Sequence, residues 1–139
     1  MSDTKTIPEH EIVAVQHNQQ DLRRQCYDVR INVFVHEQGF PLDVELDQYD
    51  ESPTTAHFLL RLLPSLAPIG TIRATTAKDG SYYKLSRLVV IKEYRQFKFG
   101  RELVTALHRW AKAEAARAGL DHATIITHSQ MYVKGFYAK

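Results

Sequence analysis

The stretch Arg87-Leu88-Val89-Val90-Ile91-Lys92-Glu93-Tyr94-Arg95-Gln96-Phe97-Lys98-Phe99-Gly100-Arg101-Glu102-Leu103 decides the reading of this chain. An apolar run gives way to a short basic turn and a glycine, which open into a long amphipathic pattern. That order predicts a strand, a phosphate-sized loop and a helix start. The first turn of a helix leaves backbone N–H groups unpaired and carries partial positive charge, so it favours an anion. Lys92, Arg95, Lys98 and Arg101 add side-chain cations around the turn, and Glu93 is the one acid among them. The plainer reading of the same residues is a solvated basic turn between two core elements.

Outward from this stretch, the pattern predicts five strands. Glu11 to Gln16 alternates as a first strand, and Ala56 to Leu63 reads as an apolar second one. Ile69 to Ala77 should pair with it as a hairpin. Asp79-Gly80 marks a turn before a fourth strand, Tyr82 to Ile91. His122 to Thr127 is the fifth. Between the first two strands, Leu22, Cys26, Val29 and Val33 fall at helical spacing over Gln20 to Glu37. Gly39 and Pro41 end that helix, and residues 41–53 form an acid-rich loop. A second helix, Phe99 to Ala118, should bury Leu103, Val104, Leu107, Trp110 and Ala111 and stop at Gly119. Ser129 to Ala138 is helical in pattern. Hairpins followed by strand–helix–strand give an α+β domain with a mixed sheet, the last two strands parallel.

Composition sets the outer bounds. The 139 residues suit one domain, with residues 1–10 as a loose tail and a full hydrophobic core beyond it. Hydrophobic residues make up 44% and charged residues 24%, which fits a globular soluble chain. A formal net charge of +2 is too small to point to nucleic acid, and the basic turn lacks an interleaved stacking platform. The single cysteine, Cys26, excludes an intrachain disulfide and a cysteine-based zinc site. It falls on an apolar helix face, which makes a Cys–His hydrolase a poor reading. The histidines miss metal-ligand spacing, so no metal is expected. No apolar run reaches membrane length and the N-terminus lacks a secretory core, so a cytoplasmic setting is expected.

Arg95-Gln96-Phe97-Lys98-Phe99-Gly100 resembles the acyl-coenzyme A loop of GNAT-type N-acetyltransferases. That loop reads Gln or Arg, two residues, Gly, one residue, then Gly or Ala. Arg95 and Gly100 match, and Lys98 stands where the family usually has glycine. Leu85 to Val90 looks like the family's central strand, and Phe136-Tyr137-Ala138-Lys139 looks like its late Phe-Tyr-x-Lys helix. Arg30 to Gln38, with Glu45-Leu46-Asp47 and His57, resembles the ElaA-like branch. The implied fold is a GNAT-like mixed sheet with helices on both faces.

The resemblance also implies the chemistry: acetyl transfer from acetyl-CoA to a primary amine of a small molecule or peptide. Leu88, Val89 and Val90 would offer backbone to the pantetheine arm as an added strand does. Arg95, Gln96, Phe97, Lys98, Phe99, Gly100 and Arg101 would hold the pyrophosphate. Gln130 stands where the family often has Asn. Tyr137 would protonate the departing thiolate, although beside Tyr132, Val133 and Phe136 it also reads as a packing residue. A backbone N–H near Val89 would meet the oxyanion. Relatives often place a Glu on the fourth strand, but Tyr83 to Val90 has no acid. The base therefore remains open among Glu37, Asp47, Asp50 and His57. Five acids lie between Asp43 and Glu51, which most simply form a solvated loop and would also attract a cationic amine. His57, opening an apolar strand, reads most simply as structural.

Two further expectations come with the resemblance. A chain that keeps the cleft but lacks the fourth-strand acid could bind acyl-CoA without performing chemistry. In the family, a Gly-Phe turn and at least one more strand follow the Phe-Tyr-x-Lys helix, whereas this sequence stops at Lys139. A truncated C-terminus is the favoured account, ahead of a strand from a partner or cover by the N-terminal tail. The bare fifth strand would then favour association, with a homodimer as one outcome.

Overall fold

The structure is a computed structural model and describes residues 6–41 and 46–127. The alternating segments form β1 (His10–Val15), β2 (Ala56–Leu62), β3 (Pro68–Thr76) and β4 (Tyr83–Val90), followed by the short β5 (Ile125–Thr127). Among the described residues these make one sheet in the order β1-β2-β3-β4-β5. The first four pair antiparallel and β4 pairs with β5 in parallel. At the Asp79-Gly80 turn Gly80 has φ +75°, and the Asp79 carboxylate accepts the Ser81 N–H at 2.9 Å.

The strand period of two divides the core. One face carries Phe58, Leu60, Ile72 and Leu85, on which Phe99, Leu103 and Leu107 of α2 (Phe99–Arg117) pack. The other face carries Val89, which packs against Val29 and Val33. Val29 belongs to α1 (Gln20–Arg30). The expected mixed sheet with helices on both faces is thus present. Gly70 on β3 lies directly under Leu103 of α2. A Cβ there would meet Leu103 Cδ1 at 3.2 Å and the Val89 carbonyl at 3.3 Å. Gly70→Val should therefore cost about 1–3 kcal/mol of stability in urea unfolding.

Two features depart from the simple pattern. The first helix does not run evenly to Glu37. It is α-helical to Arg30 and continues as a wide π turn over Ile31–Glu37. The Gln38 N–H reaches back to the Val33 carbonyl, and the Phe40 N–H to the Phe34 carbonyl. Wide turns of this kind recur at functional sites. Second, β4 bulges against β3. Thr71 pairs with Val89 and Arg73 with Ser86, which leaves Arg87 and Leu88 opposite Ile72 alone. Arg87 takes φ +55° at the bulge. The fifth strand covers only Ile125–Thr127 rather than starting at His122. The expected last helix and any strand after it lie outside the described residues.

Candidate active site

β4 ends at Val90, and a single 3₁₀ turn, Lys92–Tyr94, carries the chain to α2. Lys98 is the N-cap of α2 and makes no side-chain cap hydrogen bond. The first-turn N–H groups therefore lack a local side-chain acceptor and carry the positive end of the helix dipole. Phe99 is fully buried beneath them, stacked on Phe97 with ring centroids 5.3 Å apart. The His10 ring also packs on Phe99, with centroids 4.4 Å apart. Its ring nitrogens reach the Pro8 carbonyl and the Glu102 carboxylate, both at 2.7 Å. Burial would lower the His10 pKa, but these two acceptors outweigh it and raise it. The helix start is thus wedged in place by aromatic packing and a cross-link to the N-terminal segment.

A cavity of about 490 Å³ opens between β4, this helix start and the π turn. Leu88, Val89 and Val90 line it from the strand, and Arg95, Phe97, Lys98, Gly100 and Arg101 from the turn and helix. Val33, Phe34 and Gln38 complete the wall. Most residues singled out for a cofactor therefore meet at one cavity. Gln96 is exposed and is absent from the lining, and the Phe99 side chain faces the core. Gln130 and Tyr137 lie outside the described residues. Sequence reasoning missed Phe34 and Gln38 as wall residues, although both fall in the stretch that carries the ElaA-like resemblance.

The candidate bases occupy different settings. Glu37 binds Arg95 through two bonds of 2.8 Å, and the Arg95 Nε–H donates to the Val90 carbonyl at 2.8 Å. The bond from Arg95 holds the Glu37 carboxyl below its ordinary pKa. Asp50 is buried away from this cavity. Its carboxylate accepts Arg30 Nη1 at 2.7 Å, Arg30 Nη2 at 3.1 Å, Arg73 Nη1 at 2.9 Å and the Asp47 N–H at 2.9 Å. Burial alone would raise its pKa, but the Arg30 bond and charge outweigh it and hold the group at about 2. Asp47 is bound by Arg73 at 2.7 Å and Arg87 at 3.2 Å.

His57 is buried as well. Its Nε2–H donates to the Asp50 carbonyl at 2.9 Å, and Nδ1 meets no partner among the described residues. Burial lowers its pKa. Asp50 and His57, both buried, and the half-buried Asp47 thus belong to a scaffold rather than to the cavity wall. The expected acidic rim is, at Asp47 and Asp50, a neutralised one.

The sequence profile of the Acetyltransferase (GNAT) family matches residues 19–139. This chain belongs to that family. Acyl transfer is accordingly its class of chemistry, and acyl-CoA the family's cofactor. Among curated proteins, this GNAT chain is 33% identical over 122 residues to a Bacillus subtilis (strain 168) protein designated a candidate acetyltransferase. The match covers 88% of this chain and 76% of that protein. A structure of a candidate N-acetyltransferase from Lactobacillus plantarum is 30% identical, with a TM-score of 0.73. That superposition covers 94% of this chain and 82% of the other. Escherichia coli ElaA shares the fold at 20% identity and a TM-score of 0.70, over 93% of this chain and 84% of its own. Among the described residues of the GNAT chain, no helix is long and apolar enough to cross a membrane.

Proposed function

We propose that the protein transfers an acetyl group from acetyl-CoA to a primary amine of a small molecule or peptide. One observation carries this reading. An apolar strand end, Leu88–Val90, and a helix start with Arg95, Lys98 and Arg101 around it line the same cavity. The strand suits a pantetheine arm and the helix start suits a pyrophosphate, so the residues present fit the cofactor. When bound, acetyl-CoA supplies the activated acyl group.

The chain's own task is to deliver a neutral amine. An alkyl amine of pKa about 10.4 is neutral in roughly one molecule in 2,500 at pH 7, a cost near 4.6 kcal/mol. Asp50, held at about 2, is a poor base for that proton. We assign the deprotonation to desolvation of the amine against Val33, Phe34 and Leu88, with water as the carrier of the proton. A backbone N–H near Val89 would meet the oxyanion, and Tyr137 would return a proton to the sulfur.

Calorimetry with acetyl-CoA, followed by thiol release across polyamines, amino sugars and lysine peptides, tests the proposal. Tyr137→Phe should lower turnover about 10- to 100-fold and leave acetyl-CoA affinity within about twofold. Unchanged turnover with chemistry rate-limiting would make Tyr137 a packing residue. A second reading, a module that binds acyl-CoA without turnover, draws on Lys98 in place of glycine and on the acid-free Tyr83–Val90 strand. Cofactor binding without thiol release from any amine would favour it.

A further inference from the structure

Glu37 and Arg95 join the two walls of the cavity. Glu37 ends the π turn that contributes Val33 and Phe34, and Arg95 belongs to the cationic turn opposite. The guanidinium is anchored at its base, because Nε–H donates to the Val90 carbonyl at the end of β4. Its fork, Nη1 and Nη2, closes on both Glu37 oxygens at 2.8 Å. Arginine grips a phosphate with the same planar fork it uses for a carboxylate. The fork that a phosphate would need is therefore already engaged by a carboxylate of the chain itself.

We propose that Glu37 is an internal stand-in for a ligand phosphate, and that binding of an anionic cofactor exchanges one anion for the other on Arg95. The inference rests on reading this cavity as the acyl-CoA cleft. Exposure makes the exchange feasible. The Arg95 and Glu37 side chains are 41% and 36% exposed, and ion pairs so open to water contribute little stability. The Nε anchor keeps the guanidinium at the wall while its fork changes partner. Were Glu37 to keep its grip, its charge would repel the incoming pyrophosphate at short range. Either way the carboxylate taxes cofactor binding. It thereby sets the affinity for phosphate-bearing ligands and leaves that for uncharged ones alone.

The experiment is calorimetry of CoA on the full chain, wild type and Glu37→Gln, in low salt and in 0.5 M salt, the latter being roughly a Debye length of a few Å. Glutamine keeps the size of the side chain and removes its charge. The variant should bind CoA about three- to tenfold more tightly in low salt, with the gain shrinking in high salt. S-acetylpantetheine, which carries no phosphate, should bind both forms equally. In an Arg95→Ala background the gain should be smaller, because no fork remains to be released. Equal CoA affinity of wild type and Glu37→Gln, or weaker binding by the variant, would overturn the inference and leave the cofactor reading standing. Failure of wild type and variant alike to bind CoA would overturn the cofactor reading and this inference with it. Matched thermal melts of the two forms are the control for folding.

Discussion

Asp50→Asn should destabilise the protein by about 3–5 kcal/mol, the largest loss expected from any single change described here. The Asp50 carboxylate accepts four hydrogen bonds, three of them from the guanidinium groups of Arg30 and Arg73. Arg30 is fully buried and Asp50 is 3% exposed. An amide keeps the shape but offers one acceptor oxygen and no charge, which removes the buried negative charge that Arg30 and Arg73 share. Arg73 is held by Asp47 as well, at 2.7 Å. Changing both members of the pair, Arg30→Met with Asp50→Leu, should recover much of the loss, because a buried pair weighs less than the charge left when it is broken. Urea unfolding of the single and double variants measures both effects. A single variant within 1 kcal/mol of wild type would show that the pair does not hold the loop on the sheet.

The same carboxylate gives the acid limb of stability its sign. The folded pKa of about 2 lies below the ordinary aspartate value of 3.8. A depressed pKa contributes stability above the unfolded value and loses it as the pH falls through the folded one. Asp50 should thus contribute roughly 2 kcal/mol above pH 4 that fades towards pH 2. Asp50→Asn should flatten that part of the curve.

The neighbourhood of Asp50 also shows where sequence reading stops. Residues 41–53 look like a solvated acidic loop because their acids stand close together in the chain. Their partners do not: Arg30, Arg73 and Arg87 come from α1, β3 and β4. Long-range charge pairing has no local period, so no spacing rule reveals it. The bulge at Arg87 was equally invisible, since the residue lies inside an otherwise regular strand pattern. It nonetheless matters, because it lets Ser86 and Arg87 both serve the Arg73–Asp47 cluster. The π turn escaped for a different reason. Val29 and Val33 are four apart, and that spacing holds on an α-helix and across the start of a wider turn alike. By contrast, the β4–turn–α2 unit was legible because apolar run, cations and glycine are consecutive. The cavity wall it contributes was legible with it, whereas the wall from Phe34 and Gln38 needed the tertiary fold.

Gly100→Val should weaken acetyl-CoA binding by about 100-fold, some 2.8 kcal/mol, while leaving the fold intact. Gly100 is the second residue of α2 and lines the cavity beside Lys98 and Arg101. An anion held by first-turn N–H groups must approach the backbone itself, and glycine is the residue that permits the closest approach. A valine there puts two methyl groups in the approach. The helix should tolerate the change, because Gly100 has no positive φ and valine has a better helix propensity than glycine. Loss of affinity with an unchanged melting temperature therefore separates crowding of a ligand from damage to the fold. Gly100→Ala, with one methyl group, should fall between the two in affinity. Wild-type affinity in the valine variant would move the pyrophosphate away from this helix start. Lys98 and Arg101 would then have to hold it by side-chain charge alone, and binding would weaken steeply with added salt.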